Sequence, residues 1–300
     1  MRIFKRFLFF LAVLLILAIG GAGYAYYLTT HQPEGYKPNM LTAAQRDAAR
    51  VEMNHKVESL DILANESQVW ARSLLLAAQG KPLAQPIPKP EPVTQVFAQD
   101  QLNVYLGQWW IGDIKAKADA YMKDPFIRLE DGNIIFMGMV PEYQKVISVY
   151  FTPSIDSEGM LRCDLTSVRL GSLPLPDVLF AKHRDKLAAQ VKSKLPALQA
   201  ETMVDDSGVA NNAAGHAALS RLFLSSIDHR SMPAAIFMPR DGKKQLPVRL
   251  TGVKVEDGQL TLTAAPLELP EINTLRTKIK EPYNVPKTIA QGNTPQTNDR

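Results

Sequence analysis

Phe126-Ile-Arg-Leu-Glu-Asp-Gly-Asn-Ile-Ile-Phe-Met-Gly-Met-Val140 decides the fold of this chain. Extended apolar residues on each side of Asp131-Gly132 read as strand, tight turn, strand, because glycine adopts the positive φ that a short hairpin demands. The arrangement returns in Thr152–Val168 around Gly159 and in Val248–Ala264 around Gly258. Three hairpins of one style predict an antiparallel, meander-like sheet. Leu260-Thr-Leu-Thr-Ala264 alternates, as a strand with one wet face does, whereas Ile134–Val140 and Val146–Phe151 are apolar on both faces. Two causes fit that double apolarity: a central strand covered on both sides, or a curved sheet wrapped round an apolar cavity. In the second case Ile135, Met137, Met139, Val149 and Phe151 line the cavity, where thioethers conform to irregular ligands.

Upstream of this stretch, Leu102, Tyr105, Leu106, Trp109 and Trp110 fall on one helical face of Ala98–Trp110. Core packing accounts for that face, and so does an acyl-chain site that Leu106, Trp109 and Trp110 help to line. Before it, residues 81–93 hold five prolines with repeated Pro-x-Pro spacing, which predicts a semi-rigid spacer and a domain boundary. The same spacing also suits a ligand for an aromatic groove. Thr42 and Gln45 form a capping box, and Gly80-Lys81-Pro82 ends what it starts, so 42–80 reads as one long amphipathic helix. Met53, Val57, Leu60, Ala64, Ala71, Leu74 and Ala78 form its stripe, widened by Ile62, Val69 and Leu76. That stripe packs on the protein's own body or on a second copy in a homo-oligomeric stalk.

The N-terminal run from Phe7 to Leu28 contains no charge, and it is preceded by Arg2, Lys5 and Arg6 and closed by Tyr24, Tyr26 and Tyr27. At about 1.5 Å per residue it crosses a hydrocarbon core of about 30 Å. Basic residues stay on the cytoplasmic side and tyrosines settle at the interface. The expectation is a basic cytoplasmic tip (1–6), a single-pass transmembrane anchor in the inner, cytoplasmic membrane (7–28), and a body on the periplasmic or extracellular side. A cleaved signal peptide is the rival reading, with Gly23-Tyr24-Ala25 at its cut. Both readings export the body.

Downstream of the second hairpin, Leu170-Gly-Ser-Leu-Pro-Leu-Pro176 leads into a helix over 177–194, with Phe180, Leu187, Val191 and Leu195 inward. Its outer face carries Lys182, Arg184, Lys186, Lys192 and Lys194, a solvated surface or one drawn to anionic headgroups. A second helix is expected over 205–231 with Leu219, Leu222, Phe223 and Ile227 buried, and a short one over 270–280. The tail 282–300 reads as disordered. The whole is an α+β protein whose body spans 94–281.

Thirty-four basic and 30 acidic residues are interspersed, giving a formal charge of +4, so no nucleic-acid footprint stands out. The one cysteine, Cys163, makes no internal disulfide and reads as a small strand hydrophobe. His31, His55, His183, His216 and His229 are scattered, and neither a metal-ligand spacing nor a nucleotide or hydrolase motif occurs. Asp205-Asp206 and His229 are the one acid/base combination open to assembly in space. No catalytic group, metal or cofactor is expected.

The order of one anchor, a helix bearing Gln101-Leu-Asn-Val-Tyr-Leu106, Asp/Gly hairpins and the Leu170–Pro176 turn resembles the YpmS-like group of bacterial membrane-anchored proteins. It is also distantly similar to tubular lipid-binding domains of the bactericidal/permeability-increasing type. The matching positions are Leu102-Asn103, the hairpin glycines and Gly171 with Pro174-Leu-Pro176, over about 95–195. The resemblance implies a curved sheet around a long helix that holds lipid chains without catalysis. The expected partners are therefore the bilayer, a lipid ligand, and, in a second reading, further copies of the chain or envelope proteins docked through helix 42–79.

Overall fold

The computed structural model describes residues 26–38, 40–81, 83, 85–109, 122–240, 244–281 and 283. It is α+β with antiparallel sheets. The tip 1–6, the anchor up to residue 25, Trp110 and nearly all of the tail 282–300 lie outside the described residues. Among the described residues no helix is long and apolar enough to cross a membrane.

Helix α1 (Ala43–Ala78) starts at its capping box: the Gln45 amide donates to Thr42 Oγ1, and the Thr42 amide donates to Gln45 Oε1 at 2.9 Å. Its inward face is Met53, Leu60, Leu63, Ala64, Ser67, Trp70 and Ala71. Met53, Leu60, Ala64 and Ala71 of the expected stripe are buried and Val57 packs against the core, but the seam widens toward Leu63, Ser67 and Trp70 and not toward Ile62 and Val69, which are each about half exposed.

Strand β1 (Val93–Ala98) runs straight into α2 (Gln99–Trp109). Then come β2 (Lys123–Glu130), β3 (Asn133–Val140), β4 (Lys145–Ile155), β5 (Met160–Leu170) and the short β6 (Leu173–Pro174). Helix α3 (Asp177–Glu201), β7 (Ala210–Asn211), α4 (Asn212–Ile227), β8 (Met232–Pro233), β9 (Ala235–Arg240), β10 (Lys244–Glu256), β11 (Gln259–Ala265) and α5 (Leu269–Lys280) complete the order.

The three hairpins divide between two sheets. The first two form a meander, β2-β3-β4-β5-β6, with β8 on β5. The third, β10-β11, belongs to a sheet ordered β1-β11-β10-β7, with β9 also on β10. Local turn chemistry makes a hairpin, but which edge it joins depends on distant strands, here β1 pairing Phe97 with Leu260.

The main core lies between α1 and the second sheet: Met53, Leu60, Leu63 and Ala64 pack with Phe97, Leu246, Val248, Leu260 and Ala264. Leu129 of β2 belongs to the same cluster, with Ile127 and Ile134 against it, so the meander's inner corner shares this core. The Pro-rich segment thus joins two elements of one core. Its Lys89 reaches Glu268 at 2.6 Å and lies 5.4 Å over the Trp70 ring.

Helices α3, α4 and α5 form a second core around Ala188, Leu195, Ala217, Leu224, Ile272, Leu275 and Ile279. Leu195 is buried in this core as expected, with Val191, Phe223 and Ile227 packed against it, whereas Leu187 and Leu219, also expected inward, are 47% and 59% exposed. Helix α4 begins later than residue 205, because Asp205 Oδ1 accepts from the Ser207 and Val209 amides in a turn, and Asn211 supplies the cap.

Candidate functional site: the meander sheet, its strap and the adjoining cleft

Helix α2 lies along the edge of β2 and completes it. Asn103 accepts the Ile127 amide at 2.6 Å and donates to the Ile127 carbonyl at 2.7 Å, while Gln99 Oε1 accepts the Leu129 amide at 2.9 Å. Residues four apart on a helix share a side, so two amide side chains stand in for a missing strand. Asn103, singled out in sequence for resemblance alone, has a structural role here.

Strand alternation then sorts the expected apolar residues. Met137 stands opposite Phe126 and Ser148, and Ile135 opposite Arg128 and Tyr150, so Ile135, Met137 and Met139 share one face. Val149 pairs with Phe136, and Phe151 pairs with Ile134, which puts both on the other face. Side chains two residues apart share a face and neighbours do not. The eight residues named from sequence therefore do not line one surface. Leu106 is half-buried on α2, one turn beyond Leu102; Trp109 closes that helix, and its side chain, like all of Trp110, lies outside the described residues.

The first face is sealed by the polar segment between the charge-free run and α1. Tyr36, 4% exposed, packs with Phe126, Ile135, Met137 and Val146. Its ring meets Phe126 edge-on at 6.0 Å, and its hydroxyl donates to the Asp124 carbonyl at 2.8 Å. Burial, and then the nearby Asp124 charge, push its pKa up to about 12. Arg128 of β2 donates to the Glu34 carbonyl and pairs with Glu130. At the end of the sheet, the Ser172 amide donates to the Leu28 carbonyl at 2.9 Å. Gly171, at φ +60°, has no room for a side chain: an added Cβ would stand 2.6 Å from the Leu28 carbonyl oxygen. Residues 26–38 therefore form a strap across the sheet. Tyr36 is a lone aromatic in a polar stretch, and in sequence such a residue gives no partner.

On the second face Phe136, Ile147, Val149 and Phe151 are half-buried, and the Met122 side chain rests where a side chain at position 138 would stand. Beside the strap a cleft of about 500 Å³ opens between residues 35–38 and 40–41, the first turns of α1, and α2. Met40, Leu41, Val104 and Phe126 give it apolar walls, and Arg46, Arg50, Asp47 and Asp100 stand among its polar lining. The sequence assigned this helix to a site through Leu106, but it turns Asn103, Val104 and Gly107 to the cleft.

The acid/base combination is not assembled. His229 Nδ1 lies 3.0 Å from Asp164 Oδ1, while Asp206 pairs with Arg276 and Asp205 closes its own turn. Burial works against the charge on Asp164, but bonds from Arg162 and His229 outweigh it and hold its pKa below the ordinary range. Ser231 donates to Asp156 at 2.9 Å. Cys163, on β5, has its thiol pushed up to about 11, first by burial and then by Asp164, far from a reactive thiolate. Among the described residues no group of three or more His, Cys, Asp or Glu is placed to hold a metal ion.

The chain matches no family model, no curated protein and no solved structure.

Proposed function

We propose that this chain is a single-pass protein of the cytoplasmic membrane that displays its α+β body on the periplasmic or extracellular side and binds a lipid or similar apolar-tailed ligand without covalent chemistry. The cleft beside the strap carries the reading. Its volume of about 500 Å³ suits part of a lipid, its apolar walls suit a chain, and Arg46, beside the Arg50–Asp47 ion pair, suits an anionic head. Removal of apolar area from water drives binding, and no bond is made or broken. Register shifts between Lys123 and Phe126 and between Tyr150 and Phe151 support a sheet that curves toward its strap, as the resemblance to tubular lipid-binding domains implies. The charge-free run 7–28 supports the anchor.

The alternative, a scaffold that oligomerises through α1, loses its seam, because the inward face of that helix packs on its own sheet. Val51, Ile62 and Val69 remain exposed as separated side chains.

Native mass spectrometry of the full chain, extracted from membranes in mild detergent, tests the ligand. Bound phospholipid is expected, reduced at least threefold by Val104→Trp, whose indole narrows the cleft. Ligand-free protein in repeated preparations would overturn the binding reading. Protease added to intact spheroplasts tests topology, and the body is expected to be cut.

A further inference from the structure

The strap fixes more than one face of the meander sheet. Leu28 is the last residue of the charge-free run, and its carbonyl accepts the Ser172 amide directly. The turn Gly171-Ser172 must therefore sit at the depth of residue 28. The Gly171 amide donates to the Val146 carbonyl at 2.7 Å, which brings the start of β4 to the same level. Lys145, one residue before, holds its ammonium 5.9 Å over the Tyr26 ring. The turn 141–144 projects beyond Lys145, and its Tyr143 is 56% exposed. An exposed tyrosine and a lysine at the end of a sheet hydrogen-bonded to the last residue of the charge-free run have the composition of a membrane interface.

Resting on the anchor reading above, we propose that the body is not loosely tethered: the strap locks this end of the sheet into the bilayer's headgroup layer, with Tyr143 inserted and Lys145 toward anionic headgroups. The cleft beside Tyr36 then opens close to the lipid surface, a short path for a lipid to enter it.

The test uses the full chain, in a Cys163→Ala background, reconstituted in vesicles of phosphatidylethanolamine and phosphatidylglycerol with headgroup-level quencher lipids. Fluorophores are attached at Tyr143→Cys and at Glu158→Cys, the second at the opposite tip of β4, about 35 Å away along the strand. Quenching at residue 143 is expected to exceed that at 158 at least threefold. A signal at 143 that matches the one at 158, in protein that survives a carbonate wash of the vesicles, overturns this inference and leaves the anchor standing. Protein lost in that wash overturns both. Gly171→Val and Tyr36→Ala, which break the strap from opposite sides, are expected to cut quenching at residue 143 at least twofold while the protein stays in the pellet. If Gly171→Val does not fold, Tyr36→Ala decides; undiminished quenching in folded Tyr36→Ala overturns the proposed lock.

Discussion

The sheet of β1, β9, β10 and β11 is covered by a 36-residue helix, whereas one face of the meander is closed by a strap that sets a single tyrosine into it. Helix α1 contributes side chains to the main core over several turns, so disturbing one of them is felt by the whole body. Tyr36 is the one strap residue in the cluster with Phe126, Ile135, Met137 and Val146, so its release exposes one face without breaking a strand pair. Stability is unevenly distributed in this way when a region has few buried apolar contacts. The helix-covered sheet is the foundation, and the strapped sheet is the part placed to meet something else.

The sharpest way to break that contrast is a cavity in the foundation. Leu63, 1% exposed, changed to Ala should lower global stability by roughly 2–5 kcal/mol, seen as one cooperative shift in a urea titration. If only local exchange at α1 rises, the helix is not part of the foundation.

Alkali should loosen the strap before the core. Tyr36 ionises at about 12 when docked against an ordinary value of 10.0, so its contribution is complete below pH 10 and lost as the pH rises toward 12. Within that window docking should weaken by up to about 1.4 kcal/mol per pH unit. Hydrogen exchange, corrected for its intrinsic pH dependence, should rise first in residues 31–38. Tyr36→Phe should abolish that pH dependence, and its persistence would assign the effect elsewhere.

A smaller effect is expected at the edge that α2 completes. Asn103→Ala removes both bonds to Ile127 and should cost about 1–3 kcal/mol, with faster exchange of the Ile127 amide in particular. Asn103→Asp, which keeps the acceptor, should protect that amide more than Ala does.

The smallest change runs the other way. Ser148 is fully buried on the strapped face, and its hydroxyl has no hydrogen-bond partner among the described residues. Ser148→Ala should leave stability unchanged or raise it by about 1 kcal/mol, read from the thermal midpoint. A loss of that size would mean the hydroxyl has a partner when the protein is in solution.

Much of this architecture was legible locally. Thr42 and Gln45 announced the start of α1, and Gly132, Gly159 and Gly258 marked three turns at φ +78°, +72° and +75°. The double apolarity of β3 and β4 was legible too, because both faces are covered in part. The site was not. Five strand residues were grouped by hydrophobicity, but register places Ile135, Met137 and Met139 against Val149 and Phe151 on opposite faces. The strap was equally hidden, since Tyr36 finds Asp124 across 88 positions of chain.

Sequence alone determined the α+β content, the capped helix, the hairpin turns and the uncharged N-terminal run. Each follows from backbone preferences and side-chain periodicity within a few residues. Tertiary structure alone decided that the hairpins fall into two sheets, that Leu187 and Leu219 stay exposed, and that residues 26–38 close one face of the meander. Those outcomes depend on which distant surfaces meet, and hydrophobic burial, having no direction of its own, leaves that choice to the competition among all of them.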